Sequence, residues 1–382
     1  MRLIASASFS PAVAAWLERG NHHNISGRRV FVIDSPAEAK GPVEAAPLLV
    51  LHGFPGSSYD WFQTLVELSQ KRRVVLFDFP GFGFSDKPER YSYSLFEQAD
   101  VVEALCERLG LARPHVVAHD MGVSVACELV ARRQRKLLKG DFASLLLMSA
   151  GIYDDLAKIT TSQKVLLTPL GGAFGGLGIG AVFRQQIART MMRPVENDQI
   201  DAMWEQILYL DGHKRLSQLA SYLRERTRFE ERWIGALRTS ENLPLHLLWG
   251  NRDPTSTIEI AERLAHQIPG TALTRLLRVG HFPPIEAPAE TANAISSWLD
   301  RVEGVDVAGL ASQRAAAARA RTDDKRAASA RARADEGDDA SAQQPAPAQG
   351  SAQPAQGSAP PETRVAPAGD KEQTGRTAST LH

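Results

Sequence analysis

Seven short apolar runs, separated by stretches with helical periodicity, constrain the fold of this 382-residue chain more than any other feature. They lie at 28–34, 47–53, 72–79, 114–120, 144–150, 243–250 and 274–280. Most are near-continuous in Val, Leu, Ile and Phe, which is typical of parallel strands covered on both faces. With helical patterns such as 94–110 and 256–269 between them, they predict an α/β fold with a mostly parallel, doubly wound sheet.

The alternation of strand and helix breaks between residues 152 and 240, where helical patterns follow one another without a strong strand. An insertion of this kind lies over the carboxyl ends of parallel strands, where such sheets bind ligands. We therefore predict a core of residues 1–151 and 241–302 with a helical cap at 152–240. An uncharged, glycine-rich stretch at 165–183 is interpreted as an apolar lid segment over a pocket, and membrane contact is the less favoured alternative.

The C-terminal part of the chain has a different composition. Beyond Trp298 there is no aromatic residue, and Ala, Arg, Pro, Gln, Gly and Ser dominate. Such a sequence cannot bury enough apolar area to offset its ordering entropy, so residues 303–382 are predicted to be disordered.

Charge and cysteine content narrow the class of protein. A formal net charge of zero gives no indication of a nucleic-acid partner. The two cysteines, Cys106 and Cys127, fall on apolar helical faces, which suits a reducing compartment better than a disulfide framework. The N-terminus has no signal-peptide pattern and no metal-ligand spacing occurs, so we expect a cytoplasmic protein without a transmembrane segment, metal or cofactor.

Three acid–base residues follow three of the predicted strands. Asp120 stands at a strand–turn–helix step in "AHDMG", Asp253 follows a strand in "LLWGNRDP", and His281 follows the last strand in "LLRVGHF". Nucleophile, acid and histidine occur in this chain order in α/β-hydrolases, whose G-x-S-x-G elbow carries a serine where this chain has Asp120. Asp154 or Asp155 is an alternative acid, although the "GNRDP" motif favours Asp253.

The residue type at the elbow changes the expected chemistry. A carboxylate is already ionised at neutral pH, so Asp120 could attack an electrophilic saturated carbon directly and form an alkyl ester. His281 would then activate water against that ester, and Asp253 would orient His281. The turn in "LHGFPGSSYDW" could aim the Phe54 N–H at the site, where it would form an oxyanion hole with the Met121 N–H. This chemistry suits epoxides and alkyl halides.

Several segments resemble one branch of the α/β-hydrolase superfamily, the branch that contains epoxide hydrolases and haloalkane dehalogenases. The most specific resemblance is to mesoderm-specific transcript-like hydrolases and covers about residues 20–300. It rests on "LHGFPGSSYDW", "LFDFPGFGFSDKPERYSYSLFEQADVVEALCERLGL", "AHDMG", "YLDGHKRLSQLASYLRERTRFEERWIGAL" and "LPLHLLWGNRDP". The resemblance implies an Asp-His-Asp triad under a lid, and the apolar lid suggests a hydrophobic small-molecule substrate.

Departures from these families separate the possible activities. Haloalkane dehalogenases bind the leaving halide with a Trp directly after the nucleophile and often an Asn in the turn, where this chain has Met121 and Phe54. Fluoroacetate dehalogenases have an Arg in the place of Met121. Epoxide hydrolases use two cap tyrosines as proton donors. Tyr222 matches one of these positions, and Tyr153 and Tyr209 are candidates for the second.

An epoxide-hydrolase-like activity is therefore favoured over a dehalogenase-like one. Trp61, at the end of "LHGFPGSSYDW", is a further candidate for substrate contact. A non-catalytic binding protein that keeps the fold is a third alternative, which the presence of three dispersed acid–base residues disfavours. A serine esterase is least favoured, because Ser124 lies one turn into the helix, away from the elbow.

Overall fold

The computed structural model describes residues 9–37, 45–169, 171, 179–240 and 242–304, together with 316, 319, 322–323 and 326–327. Most of the predicted tail at 303–382 and part of the predicted lid segment at 165–183 lie outside the described residues. The chain divides into two units, Met1–Lys325 and Arg326–His382, and every element named below belongs to the first.

An eight-stranded sheet forms the centre of this unit. Its strands are β1 (Asn21–Ile25), β2 (Arg28–Ser35), β3 (Leu48–Leu51), β4 (Val74–Phe77), β5 (His115–His119), β6 (Ser144–Met148), β7 (Leu245–Gly250) and β8 (Ala272–Leu276). They lie in the order β1-β2-β4-β3-β5-β6-β7-β8. The pairs β1–β2 and β2–β4 are antiparallel and the other five pairs are parallel. The predicted mostly parallel sheet is confirmed.

The edge strand β1 was not predicted, because its sequence, NHHNI, is polar and lacks the apolar run of a buried strand. It pairs with β2 through a tight turn at Ser26 and Gly27, both of which have positive φ angles, 51° and 80°. Two-residue hairpin turns need this conformation. The last strand also differs from the prediction, since β8 ends at Leu276 and leaves residues 277–280 as the loop that leads to His281.

Twelve helices surround the sheet in the described part of the chain. They are α1 (Pro11–Arg19), α2 (Phe62–Leu68), α3 (Leu95–Leu109), α4 (Met121–Gln134), α5 (Thr161–Leu166), α6 (Ile179–Thr190), α7 (Asn197–Leu208), α8 (Leu216–Ala220), α9 (Tyr222–Arg238), α10 (Ile258–Gln267), α11 (Pro283–Glu286) and α12 (Pro288–Gly304), with 3-10 helices at Ser58–Trp61 and Tyr209–Arg215. No helix among the described residues is long and apolar enough to cross a membrane.

Side chains of the central strands alternate between two hydrophobic clusters, one on each face of the sheet. In β3, Leu49 and Leu51 belong to the cluster that includes α3, α4, α9 and α10, whereas Leu48 and Val50 belong to the cluster that includes α1, α2 and α12. This period of two is the geometry of a strand buried on both faces. It explains why the strands read as unbroken apolar runs.

The helices α5 to α9 all lie between β6 and β7 in the sequence, and the described residues of 152–240 contain no strand. A third hydrophobic cluster joins this segment to the loop around His281, because Ile187, Met191 and Met203 pack with Phe282 and Ile285. The division into core and cap remains a prediction. The contacts nevertheless show that this helical segment packs against the carboxyl end of the sheet.

Candidate active site

Asp120 lies in a strained turn between β5 and α4. Its φ and ψ angles are 45° and −112°, a conformation that non-glycine residues seldom adopt outside functional sites. Two close approaches require glycine at positions 53 and 122, on either side of this turn. A Cβ atom on Gly122 would lie 2.5 Å from the Leu51 carbonyl oxygen, and one on Gly53 would lie 2.7 Å from the Asp120 Cβ. The turn has the strand–elbow–helix form that the sequence predicted.

Asp120, His281 and Asp253 come together at the carboxyl edge of the sheet. The His281 Nδ1 lies 2.8 Å from the Asp253 Oδ2, and the His281 Nε2 lies 3.9 Å from the Asp120 Oδ1. The other Asp253 oxygen, Oδ1, accepts hydrogen bonds from the Thr255 N–H, the Thr255 hydroxyl and the Ser256 N–H, at 2.8–2.9 Å. These donors hold the Asp253 carboxylate in one orientation beneath the imidazole.

The contact between Asp253 and His281 shifts their pKa values in opposite directions. Burial alone would raise the pKa of Asp253, but the charge and hydrogen bond of His281 and the amides of Ser256 and Thr255 lower it below its ordinary value. Burial would lower the pKa of His281, but Asp253 and, more weakly, the charge of Asp120 raise it to about 9. The raised pKa of His281 and the lowered pKa of Asp253 both favour an imidazolium that is paired with the Asp253 carboxylate.

A buried carboxylate fixes the loop that carries His281. Glu286 accepts hydrogen bonds from the Gly280 and Phe282 N–H groups on either side of His281, and also from the Met192 and Arg193 N–H groups that follow α6. The loop is thus tied both to α11 and to the helical segment above the sheet. The sequence analysis did not identify this residue, although it stands five positions after His281.

The Phe54 N–H donates a 2.9 Å hydrogen bond to the Asp120 Oδ2. Met121 is the first residue of α4, so its amide is one of the four at the helix N-terminus that have no acceptor within the helix. The Phe54 amide thus meets Asp120 as the sequence analysis expected, and the Met121 amide remains the predicted second donor.

A cavity of about 270 Å³ opens in front of Asp120. Asp120, His281, Phe54, Tyr222 and Arg226 line it at the sheet end, together with Gly151. Most of the remaining wall is apolar and comes from the helical segment, with Val165, Leu166, Val182, Phe183, Ile187, Leu216 and Leu223. The cavity has the size and lining of a small-molecule site.

Tyr222 reaches the site from the beginning of α9. Its side chain is 1% exposed, and its hydroxyl group lies within range of the charge of the Asp120 carboxylate. Burial and then the charge of Asp120 raise the pKa of this tyrosine well above its ordinary value. Tyr222 therefore keeps its proton, close to the carboxylate at which a substrate would react.

The structure does not bring the other three candidates for substrate contact, Tyr153, Tyr209 and Trp61, to the cavity, and of the six tyrosines, all of which are described, only Tyr222 lines it. The Tyr153 hydroxyl instead donates a 2.6 Å hydrogen bond to Gln267 of α10. Tyr209 packs against Phe84, with a centroid separation of 5.3 Å. Trp61 is fully buried in the cluster with α1, α2 and α12.

The alternative acids Asp154 and Asp155 also lie elsewhere. Asp155 forms an exposed ion pair with Arg263, and Asp154 accepts a hydrogen bond from the Thr227 hydroxyl. Asp253 is the carboxylate that pairs with His281.

Comparisons with known proteins agree with this fold. Residues 46–288 match the α/β hydrolase fold family, and the chain belongs to that family. It is 35% identical to the protein named "Putative hydrolase LipZ" from Mycobacterium tuberculosis, over 76% of this chain and 99% of that protein. It is also 33% identical to the human mesoderm-specific transcript homolog protein, over 78% of this chain and 90% of that protein. The predicted relationship to this group is confirmed.

Solved structures share the fold at lower sequence identity. A haloalkane dehalogenase from Bradyrhizobium elkani superposes with a TM-score of 0.65 at 22% identity, covering 75% of this chain and 99% of that one. An α/β hydrolase fold protein from Burkholderia ambifaria superposes with a TM-score of 0.61 at 24% identity, covering 72% and 97%. These likenesses establish the α/β-hydrolase fold, and with the family membership they support a hydrolase.

Proposed function

We propose that this hydrolase forms a covalent alkyl ester on Asp120 and acts as an epoxide hydrolase on small molecules with a hydrophobic part. The observation that carries the proposal is a carboxylate at the elbow whose Oδ1 is 3.9 Å from the His281 Nε2. A serine nucleophile needs a direct hydrogen bond to its base, at about 2.6–3.2 Å, whereas an ionised carboxylate needs none. The gap between the two side chains thus suits a base that acts on water instead.

The first step uses the two Asp120 oxygens differently. The Phe54 N–H holds Oδ2, which leaves Oδ1 as the atom that attacks the epoxide carbon. The new bond joins Oδ1 to that carbon, the epoxide C–O bond breaks, and its electron pair stays on the departing oxygen. The Tyr222 hydroxyl, which lines the same cavity as Asp120 and whose raised pKa keeps it protonated, gives that oxygen a proton. Oδ2 becomes the carbonyl oxygen of the ester.

In the second step, His281 activates the water that hydrolyses the ester. Once Asp120 is an uncharged ester, one of the charges that raise the His281 pKa is gone, and the imidazole shifts towards the neutral form that can accept a proton. Water attacks the ester carbonyl carbon while His281 takes its proton. The charge that develops on Oδ2 is stabilised by the Phe54 N–H and the predicted Met121 N–H. The bond between the Asp120 carbonyl carbon and Oδ1 then breaks, and the His281 imidazolium gives its proton to the departing alkoxide, which leaves as the diol. The carboxyl group regenerated at Asp120 gives the remaining water proton to the Tyr222 phenolate, which restores both side chains.

One observation favours a second candidate, a dehalogenase-like hydrolysis of alkyl halides by the same ester. Tyr222 is the only tyrosine at the cavity, whereas the resemblance to epoxide hydrolases implies two proton donors. A halide needs no proton to leave, so a single donor is less of an obstacle for that substrate. This activity is the second candidate because Met121 and Phe54 stand where haloalkane dehalogenases have the Trp and Asn that bind the leaving halide.

A single-turnover experiment in heavy-oxygen water tests the covalent mechanism. Excess protein is mixed with hexene oxide or with hexyl bromide, and the product and the peptide containing Asp120 are analysed by mass spectrometry. We expect an unlabelled new hydroxyl in the first product and one heavy oxygen in the Asp120 carboxylate. Label in the first product would reject the ester. Reaction with hexyl bromide alone would favour the second candidate, and reaction with neither probe would weaken both candidates.

Tyr222→Phe is expected to separate the two substrate classes. It removes the hydroxyl but keeps the ring that packs 5.6 Å from the Phe54 ring. Because a general acid typically contributes about 10²–10⁴-fold, kcat on hexene oxide should fall by that factor. Hydrolysis of hexyl bromide should fall much less, since bromide leaves unprotonated.

Tyr153→Phe is the matched control for this change. Its hydroxyl is bound to Gln267, away from the cavity, so kcat on both substrates should stay near that of the unchanged protein. Equal losses on epoxide and halide in Tyr222→Phe would show that Tyr222 acts through packing or through Asp120, and not as an acid.

A further inference from the structure

Arg226 is a buried cation that the proposed reaction does not use. Its side chain is 6% exposed and lines the cavity near Asp120. Among the described residues of the chain, no carboxylate forms an ion pair with it, and its Nε has no hydrogen-bond partner. Burying a charged guanidinium without a partner costs stability, so a ligand that supplies the missing negative charge would be bound strongly.

The surroundings of Arg226 hold its guanidinium at the cavity wall. It stands four residues after Tyr222 on α9, and its Cζ lies 5.8 Å from the Tyr222 ring centroid. On the other side it lies over Gly151, where a Cβ atom would come within 2.8 Å of the Arg226 Nη1. The missing side chain at Gly151 thus leaves the space that the guanidinium fills. Both Gly151 and Tyr222 line the same cavity.

The charges around the cavity favour an anion. His281 lies against both Asp253 and Asp120, at 2.8 and 3.9 Å, so among the described buried charged groups that line the cavity the Arg226 guanidinium is the one left without a counter-charge. Lys158 adds a second positive charge at the exposed rim. A purely apolar substrate would leave Arg226 unsatisfied, whereas an anionic one would be repelled by Asp120 unless a cation compensated for it.

We propose that Arg226 binds a carboxylate group of the substrate, which makes the substrate class a short-chain acid with an epoxide or halide group near its carboxylate. This inference rests on the proposed function for the reacting carbon. A guanidinium presents parallel N–H donors that match the two oxygens of a carboxylate. Beyond Arg226 the cavity is largely apolar and about 270 Å³ in volume, which suits a short alkyl chain.

Binding of an unreactive acid separates this inference from the ester chemistry. The full chain carrying Asp120→Asn cannot form an ester, and it is titrated by calorimetry with hexanoate and with hexanamide, which have nearly the same size and shape. We expect hexanoate to bind about 10- to 100-fold more tightly, the range for a hydrogen bond to a charged group. Equal affinities for the two ligands would overturn the inference, whatever the outcome in heavy-oxygen water.

Variants of two arginines in α9 test whether Arg226 causes the preference for hexanoate over hexanamide. Adding Arg226→Met to the Asp120→Asn protein should reduce hexanoate binding to the level of hexanamide. Adding Arg228→Met removes the same charge from an exposed position of the same helix and should keep the preference. Should Arg226→Met prevent folding, Arg226→Lys keeps the charge without the planar fork and should weaken hexanoate binding selectively.

The reactive pair 2-bromohexanoate and 2-bromohexanamide then tests turnover in the protein with Asp120 intact. We expect the ratio of kcat/KM for the acid to that for the amide to fall at least 10-fold in Arg226→Met and to be unchanged in Arg228→Met. Equal losses on acid and amide would show that Arg226 serves Asp120 or the leaving group, which would overturn the assignment of a carboxylate. Failure of both bromides to react, with hexanoate still preferred, would contradict the dehalogenase-like candidate and not the binding site.

Discussion

His281→Gln is expected to turn the protein into a reagent that reacts once and then stops. Asp120 needs no base for its attack, so an ester should form on mixing with a reactive epoxide or halide. The second step lacks its base in this variant. Since general acid–base catalysis contributes about 10²–10⁴-fold, steady-state turnover should fall by that factor or more. The ester should accumulate as a mass increase confined to the peptide that contains Asp120.

Asp120→Asn is the control for this experiment, because it removes the nucleophile and keeps the shape of the side chain. It should give neither turnover nor a mass increase. An unmodified His281→Gln protein that still binds hexanoate or hexanamide would contradict the separation of roles between Asp120 and His281. A serine-type mechanism predicts that outcome, since there the histidine is needed for the first step as well.

The three triad residues could be predicted because each follows a strand, and a buried strand is a local pattern in the sequence. Asp120, Asp253 and His281 each follow a strand of a parallel sheet, and strands of this kind end at one edge. Seven of the eight strands are visible in the sequence. The central strands β3 to β7 are buried along their whole length and are therefore apolar runs, whereas the edge strand β8 is buried only at Leu276. The edge strand β1 faces solvent, carries a polar sequence, and was missed for that reason.

The helical segment was harder to predict, because it is held by contacts between residues distant in sequence. Tyr153 lies three residues after the predicted 144–150 strand, close to where site residues follow strands, but its hydroxyl is bound to a side chain 114 positions later. No local pattern shows such a partner. Arg226 was missed although it stands four residues after Tyr222. That spacing places both on one face of a helix, which is a signal the sequence does contain.

The hydrogen bonds of Asp253 give Asp253→Asn an unusually specific expected outcome. Three donors meet at the Asp253 Oδ1, namely the Thr255 N–H, the Thr255 hydroxyl and the Ser256 N–H. An asparagine at this position will keep its oxygen on these donors, because its NH₂ group cannot accept hydrogen bonds from them. The NH₂ group then faces the His281 Nδ1, where the carboxylate Oδ2 now lies.

This change forces His281 into the wrong tautomer. With an N–H donor beside it, Nδ1 must be the acceptor and Nε2 must carry the proton, so Nε2 can no longer take a proton from water. The corresponding change in a serine protease lowers kcat by about 10⁴-fold, and we expect a loss of that order for ester hydrolysis here. Ester formation should be nearly unaffected, so the mass increase on the Asp120 peptide should accumulate as in His281→Gln.

Asp155→Asn is the matched control, since Asp155 is the acid that the sequence left as an alternative. Its partner Arg263 is partly exposed and Asp155 itself is 62% exposed. Because such surface pairs contribute little, turnover should stay within about two-fold of that of the unchanged protein. A large loss of turnover in Asp155→Asn, or full turnover in Asp253→Asn, would show that Asp253 is not the carboxylate that orients His281. Fast ester formation with blocked hydrolysis in Asp253→Asn would show that only the water step needs an oriented, neutral His281. An aspartate nucleophile makes this possible, because it attacks the substrate without a base.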